Sequence, residues 1–270
     1  MTDSGAQQLE RLFADVRSQG RAALLPYLTA GLPDDDTSVA LFEAMAEAGA
    51  DGFELGIPYS DPLMDGPVIA AAGARSIAGG TTVATALAIA ARVSESTTKP
   101  TLLMTYTNPV LHHGIDVFME SAGASGAAGV IIADLPVEES EPFLNAAERA
   151  GLGMALFAAP TTSDRRLEQI AAARPAFVYG VASLGVTGER ATLSDRARVL
   201  SQRVRAVSDV PLVLGVGIST PAQATAAAVD ADGIIVGSAL VRRVLDAPNA
   251  SEAISVVGAA VRDLAAALRD

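Results

Sequence analysis

The 270-residue chain contains no cysteine, which excludes disulfide bonds, thiolate zinc sites and a cysteine nucleophile. It has one lysine, Lys99, and two adjacent histidines, His112 and His113. Lys99 precedes the third predicted strand, at the end away from the expected site, so Schiff-base chemistry is disfavoured. Adjacent histidines give poor support to a metal cluster or to a serine–histidine triad. We therefore predict carboxylate chemistry without a metal or an organic cofactor in this chain.

Positive charge is also scarce, because 19 Lys and Arg residues face 31 Asp and Glu residues, for a net charge of -12. Nucleic-acid and anionic-membrane partners need a basic face, so both are disfavoured. Residues 1–10 show no signal peptide, and no uncharged apolar stretch is long enough to span a bilayer. The cytoplasm is the expected compartment. A single phosphate group can still bind at backbone N–H groups of a helix start.

Hydrophobic residues make up 50% of the chain, although aromatics make up only 4%. They concentrate in short apolar runs, which we predict to be strands, over residues 23–28, 52–55, 101–104, 129–133, 153–157, 177–181, 212–214 and 233–236. Helical patterns occupy residues 6–18, 37–48, 67–78, 82–94, 115–123, 139–150, 164–173, 195–207, 220–228 and 251–268. A further short helix is expected to begin near Gly237.

Eight alternations of buried strand and helix within about 250 residues are typical of a closed (β/α)8 TIM barrel. We predict this fold, with an extra N-terminal helix and a short helix after strand 8, as one domain over residues 1–270. A doubly wound open sheet is the alternative, since counting strands does not exclude it. The connections after strands 2 and 6 are long, at residues 56–66 and 182–194, and loops at this end of a barrel build the active site.

Glu54 lies inside the apolar run of the second strand, near its carboxyl end. A buried carboxylate is costly unless it is paired or used, so the residue is either half of a structural ion pair with an arginine or a catalytic group. Asp65 follows eleven residues later, in a proline-rich segment. It is either a turn or helix-capping residue or a second carboxylate over the same barrel mouth. For Asp61, which precedes Pro62, we favour the turn. Two carboxylates in different environments can divide acid and base roles.

Two glycine turns indicate a phosphate site. Strand 7 leads into Gly215-Val216-Gly217, with Thr220 and Pro221 expected to begin a helix, and strand 8 leads into Gly237-Ser238. Loops after strands 7 and 8 form the recurrent phosphate site of such barrels; the alternative is a pair of ordinary strand–helix turns. The strand-6 loop, with Gly185, Thr187 and Gly188, suits a mobile lid or an idle surface loop.

The segment from Glu54 to Pro67 closely resembles the corresponding segment of tryptophan synthase alpha subunits. Further similar segments cover residues 26–31, 134–136, 185–188, 217–219 and 237–239. The resemblance implies a lyase of tryptophan biosynthesis that cleaves indole-3-glycerol phosphate to indole and glyceraldehyde 3-phosphate. It implies that Glu54 is the general acid–base and that Asp65 stabilises the protonated indole ring.

The resemblance also implies the remaining site residues. Tyr179 is expected beside Glu54, Thr187 in the lid, and the phosphate at Gly188, Gly217, Gly237 and Ser238. The implied lining of the indole pocket is Tyr27, Leu103, Ile131, Ala133, Ala158, Val216 and Ile235. Each of these apolar residues has an ordinary core interpretation without the resemblance. Val216 stands where some members of the family have a bulky aromatic residue.

Members of this family work as an alpha–beta–beta–alpha heterotetramer whose beta subunit carries pyridoxal phosphate and consumes the indole. The resemblance implies that loops 58–63 and 108–113 face that partner and that the two sites are coupled allosterically. Two alternatives remain open: another phosphate-binding barrel enzyme of the same pathway, and a non-catalytic barrel that acts as an allosteric partner. An indole-3-glycerol-phosphate synthase fits poorly, because its chemistry uses active-site lysines.

Overall fold

The computed structural model describes residues 3–181, 193–215 and 217–269, with only the backbone of 193–196. Its strands are β1 (Ala23–Thr29), β2 (Phe53–Gly56), β3 (Thr101–Thr105), β4 (Gly129–Ile132), β5 (Gly153–Ala158), β6 (Phe177–Val181), β7 (Leu212–Gly215) and β8 (Gly233–Val236). Its helices are α1 (Gly5–Ser18), α2 (Asp35–Glu47), α3 (Pro67–Ala78), α4 (Val83–Thr97), α5 (Thr107–His113), α6 (Ile115–Ala124), α7 (Glu141–Arg149), α8 (Asp164–Ala172), α9 (Leu193–Val207), α10 (Pro221–Ala228), α11 (Ser238–Asp246) and α12 (Ala250–Ala267), with a 3-10 turn at Val137–Glu139.

The eight strands form a closed parallel barrel in sequence order. β8 returns to β1, with Ala23 opposite Gly233 and Pro26 opposite Val236. This closure confirms the predicted TIM barrel and rules out the open doubly wound sheet. All residues of β1, β2, β4, β7 and β8 are buried, because barrel strands are covered by side chains on one face and by helices on the other.

Helix α1 covers the barrel face at which the strands begin. Its buried stripe consists of Leu9, Leu12, Phe13 and Val16, as the helical spacing predicts. Ser4 and Gln7 form a capping box at its start, in which each side chain bonds the backbone of the other. The helix packs against β1, β4 and β5, so this end of the barrel is closed and the opposite mouth is left for the site.

Residues 108–113 were interpreted as a loop, and that interpretation is wrong because they belong to helix α5. A seven-residue helix is too short to show a repeating apolar stripe in the sequence. A residue that follows β4 holds the start of this helix. Asp134 accepts from the backbone N–H of Thr107 at 2.7 Å and from the Thr107 hydroxyl at 2.9 Å. This long-range contact, rather than a local capping residue, fixes where the helix begins.

Within the described ranges, no single helix has both the length and the apolarity needed to cross a bilayer. Helices α3 and α4 would pass such a test only as a pair, and they meet at a bend of 103°. Both helices belong to the connection between β2 and β3, and their buried residues face the body of the barrel.

Candidate active site

The carboxyl ends of the strands surround a cavity of about 460 Å³. The described residues that line it are Tyr27, Glu54, Met64, Asp65, Gly66, Ile69, Met104, Ala133, Phe157, Tyr179, Val181, Gly217, Ile218, Ser219, Ile235, Gly237, Ser238, Ala239 and Arg242. Most of this lining is apolar, and it also includes two carboxyls, two phenols and the backbone turns after β7 and β8. Such a cavity suits a ligand that has an aromatic part and an anionic part.

Glu54 stands on β2 opposite Tyr27 of β1 and Leu102 of β3, and only 2% of its surface is exposed. Its Oε2 atom has no hydrogen-bond partner within the described part of the chain. Burial raises the pKa of the Glu54 carboxyl to about 8, and the negative charge of Asp65 acts in the same direction, whereas a hydrogen bond with Tyr179 opposes the rise. No described cation contributes to this balance, so the described residues offer no arginine for the alternative of a structural ion pair.

Asp65 reaches the same cavity from the connection between β2 and α3. Gly66 occupies the capping position of α3 and Pro67 begins the helix, so Asp65 is not a helix cap. Partial burial raises the pKa of the Asp65 carboxyl to about 6, while a hydrogen bond with the Tyr106 hydroxyl lowers it. The same hydroxyl accepts from the Met64 backbone N–H at 3.2 Å. Tyr106 therefore holds this part of the connection in place.

Tyr27, on β1, and Tyr179, on β6, both lie close to Glu54. Burial raises the pKa of both phenols, and the nearby carboxylates add to the effect, so both hydroxyls stay protonated and can donate. Space for them comes from two glycines. A Cβ atom on Gly56 would collide with the Tyr27 hydroxyl, and one on Gly215 would collide with the Tyr179 hydroxyl.

A further part of the cavity wall is built from the turns after β7 and β8. Gly217 has a φ of +84°, a conformation that favours glycine. Thr220 caps α10 and Pro221 is its first residue, as predicted, and Gln223 completes a capping box with Thr220. Helix α11 begins at Ser238, and the carbonyl of Gly237 accepts from Leu240 and Val241, which leaves the N–H groups of Ser238 and Ala239 without a backbone acceptor inside the helix.

Nine of the residues proposed from the sequence meet at this cavity: Tyr27, Glu54, Asp65, Ala133, Tyr179, Gly217, Ile235, Gly237 and Ser238. Thr187, Gly188 and Val216 lie outside the described residues. Leu103, Ile131 and Ala158 are fully buried and do not border the cavity. These three are therefore separate from the lining described above, and their place in the indole pocket stays a prediction.

For two of the three, the separation from the lining follows from the alternation of side chains along a strand. Leu102 is opposite Glu54 in the sheet, so Leu102 and Met104 share its face and Leu103 points to the other face. On β5, Phe157 is opposite Tyr179 and stacks on it with ring centroids 4.7 Å apart, while Ala158 points away. Ile131 is opposite Met104 and shares the inner face of the barrel, but its side chain is fully buried and does not border the cavity.

Met104, Phe157 and Arg242 were missed by sequence reasoning. Strand register, which a single sequence does not supply, is needed to identify the first two. Arg242 carries a local signal, since it lies four residues after Ser238 and therefore on the same side of α11. Among the described residues, no group of three or more histidines and carboxylates has the geometry to hold a metal ion.

An exposed apolar surface lies beside the cavity mouth. Leu63 is 88% exposed, and Met64 and Leu111 are 57% and 54% exposed. The connection after β2 and helix α5 are joined here, because Asn108 donates to the Tyr59 hydroxyl at 3.0 Å and the Tyr59 ring packs against Tyr106. We call this the rim patch, defined by Tyr59, Leu63, Met64, Asn108 and Leu111.

Comparison with known proteins gives a consistent result. A family model described as tryptophan synthase alpha chain matches residues 13–268. The chain is 41% identical over 263 residues to the tryptophan synthase alpha chain of Streptomyces coelicolor, with 97% of each chain covered. It is 42% identical over 264 residues to that of Thermobifida fusca, again with 97% of each covered.

Solved structures agree with these relatives. A chain of Mycobacterium tuberculosis tryptophan synthase superposes with a TM-score of 0.88 at 40% identity, covering 97% of this chain and 98% of that one. Tryptophan synthase subunit alpha from Legionella pneumophila superposes with a TM-score of 0.86 at 31% identity, covering 97% and 98%.

Proposed function

The chain belongs to the tryptophan synthase alpha chain family, whose reaction is the cleavage of indole-3-glycerol phosphate, and we propose that Glu54 and Asp65 carry out that reaction here. One observation carries the proposal. Two carboxyls with raised pKa values, about 8 and about 6, share one cavity at the carboxyl ends of the strands. At neutral pH the first is mainly protonated and the second mainly charged, which is the division that an acid and an electrostatic partner need.

Protonated Glu54 starts the reaction by giving its proton to C3 of the indole ring. This step places positive charge on the ring nitrogen. The resulting Glu54 carboxylate then removes the proton of the hydroxyl on the side-chain carbon next to the ring. The bond between that carbon and C3 breaks, its electrons return to the ring, and the carbon becomes the carbonyl of glyceraldehyde 3-phosphate. Glu54 thus gives one proton and recovers one.

Asp65 supports this step electrostatically. As the ring nitrogen becomes positive, a charged Asp65 accepts its N–H in a hydrogen bond that strengthens along the reaction. The largely apolar lining of the cavity limits solvent screening of that bond. Tyr179 contributes by its hydrogen bond with Glu54, which keeps the carboxyl oriented, and by supplying a donor that remains protonated.

The two ends of the cavity accommodate the two ends of the substrate. We assign the phosphate to the turns at Gly217, Gly237 and Ser238, where backbone N–H groups and the start of α11 favour an anion. Gly188 is proposed as a further backbone donor, and Thr187 as the lid residue that positions Asp65. Tyr27, Ala133 and Ile235, together with Met104 and Phe157, form the proposed indole pocket. Val216 is proposed as part of its wall.

The family implies a beta-subunit partner. We propose that it binds the rim patch, that the assembly is an alpha–beta–beta–alpha heterotetramer, and that pyridoxal phosphate lies in the beta subunit. The rim patch is exposed, apolar and beside the cavity mouth, as expected of a surface that a partner covers. A partner bound there would lie close to where the apolar product indole leaves the cavity. We further propose that residues 1–270 act as one domain, without a cofactor of their own, in the cytoplasm.

The test is indole release from indole-3-glycerol phosphate by the purified chain, with and without a cognate beta subunit. Glu54→Gln keeps the shape of the side chain and removes the acid, so we expect loss of cleavage of at least about a thousand-fold, within the range for a general acid–base. Asp65→Asn should slow the reaction severely while the substrate still binds. Glu139→Gln, an exposed carboxyl outside the cavity, is the matched control and should retain full activity.

Folding must be checked in the same samples by circular dichroism. A folded Glu54→Gln variant with near-normal turnover would remove Glu54 from the mechanism. Slow release by the wild-type chain that rises with the partner would support both the reaction and the partnership. No release in either condition would contradict the assignment of these residues to the family reaction.

A further inference from the structure

Arg242 is the one cationic side chain among the described residues that line the cavity. It lies on α11 one turn after Ser238, so the two side chains share a face of the helix. That face borders the end of the cavity at which Gly217, Ser219 and Gly237 gather. A guanidinium therefore stands beside the backbone turns proposed above to hold the phosphate.

Polar contacts with described residues do not account for the position of Arg242. It forms no ion pair or hydrogen bond with any described residue, although Asp246 follows one turn later on the same helix. The neighbouring Arg243 behaves differently, since its guanidinium donates to the carbonyl of Ala239 at 2.6 Å within the helix. Two adjacent arginines on one helix thus have different surroundings, and only Arg242 borders the cavity.

A cationic side chain at this position would offset the negative charge that an anionic substrate meets. The chain has a net charge of -12, and the cavity already contains the carboxyls of Glu54 and Asp65. A phosphate dianion that enters this cavity meets repulsion, which the neutral backbone N–H groups offset only in part. A guanidinium offers several donors in a plane that matches the oxygens of a phosphate.

We propose that Arg242 is a side-chain contact for the substrate phosphate and that it sets the preference for phosphorylated over unphosphorylated substrates. The inference rests on the proposed phosphate site at Gly217, Gly237 and Ser238. Arg242 acts on binding rather than on proton transfer, because it lies on α11 beside the turns of the proposed phosphate site, whereas Glu54, the proposed acid–base, lies within β2. It is therefore expected to change KM and to leave kcat largely unaltered.

The reverse reaction separates the two halves of the substrate. The alpha chain condenses indole with glyceraldehyde 3-phosphate at a fixed concentration of the beta subunit. A KM is measured for each of the two substrates. Arg242→Ala should raise the KM for glyceraldehyde 3-phosphate about five-fold, the upper range for an exposed ion pair, and leave the KM for indole unchanged. Arg242→Glu should raise it further, and Arg242→Lys should restore most of the loss. Arg243→Ala is the matched control and should change neither value.

Ser238→Ala, measured beside these variants, distinguishes this inference from the proposed site. If Ser238→Ala raises the KM for glyceraldehyde 3-phosphate and Arg242→Ala does not, the inference is overturned and the phosphate site stands. If neither variant changes that KM, the phosphate site is misplaced and the inference falls with it. An equal rise of both KM values in Arg242→Ala would show a general loss of cavity structure and would also overturn the inference.

Discussion

The Glu54 carboxyl is deeply buried and has no cationic partner among the described residues, and this combination has a consequence for stability as well as for chemistry. Its pKa lies near 4.5 in an unfolded chain and at about 8 in the folded protein. Between these pH values the folded state holds a proton that the unfolded state has lost. The contribution of Glu54 to the free energy of unfolding therefore falls as pH rises from 4.5 to 8, since the unfolded state binds fewer protons at this group.

Replacement of Glu54 by glutamine removes this titration. We expect the variant to gain stability relative to the wild type as pH rises from 5.5 to 8, on the order of 3 kcal/mol in total, because the amide never becomes charged. Chemical denaturation at several pH values measures the difference. Glu139→Gln, the same substitution at an exposed position, is the control. A difference between Glu54→Gln and wild type that stays constant with pH would contradict the raised pKa.

Helix α5 shows how an element of seven residues is held by contacts from other parts of the chain. Asp134, after β4, accepts twice from Thr107 and so supplies the cap that the helix lacks locally. Tyr106 precedes the helix, and its hydroxyl forms a hydrogen bond with Asp65 and accepts one from the Met64 backbone N–H. The start of α5 therefore lies between the rim patch and a carboxyl of the proposed active site.

Asp134→Ala should loosen this helix without unfolding the barrel. Loss of a cap costs about 1 kcal/mol, so we expect the amide protons of α5 residues, such as Leu111, to exchange about five- to ten-fold faster. Hydrogen exchange followed by mass spectrometry measures this. Asp134→Asn keeps an acceptor and should remain near the wild type, and the exposed Glu120→Ala on α6 is a control. Unchanged exchange in Asp134→Ala would mean that other contacts hold the helix.

The whole molecule presents different surfaces at the two ends of the barrel. The end at which the strands begin is covered by α1, whereas the other end carries the cavity and the rim patch. Apolar side chains as exposed as Leu63 and Leu111 on one side of a cavity mouth are typical of a surface that a partner covers. The proposed beta-subunit contact is thus a property of one end of the barrel.

Leu111→Asp tests this surface without touching the cavity lining. A buried charge at an interface is unfavourable, so we expect binding to the beta subunit to weaken roughly ten-fold or more, with the activity of the free chain unchanged. Isothermal titration calorimetry with the beta subunit gives the affinity. Val229→Asp is the control, since Val229 is 74% exposed and follows α10 at the end where β8 begins. Equal affinities for both variants would place the interface elsewhere.

The amino-acid sequence alone predicts the eight strands, most of the helices and the fold class, because apolar runs, helical spacing and glycine turns are local properties. It also identified the Glu54–Asp65 segment and the turns at Gly217 and Gly237, since a carboxylate in an apolar strand and a glycine before a helix are visible in the residues themselves. Helix α5 was missed, because its cap is Asp134, 27 residues after Thr107.

How these segments meet depends on contacts between residues that lie far apart in the chain. Closure of β8 on β1 fixed the strand register, which placed Met104 and Phe157 at the cavity and turned Leu103 and Ala158 away from it. Enclosure within the barrel raised the pKa of Glu54, because desolvation and the charge of Asp65 depend on surrounding atoms from several strands. Side-chain identity sets which chemistry is possible, whereas long-range packing sets which face, neighbour and protonation state each side chain has.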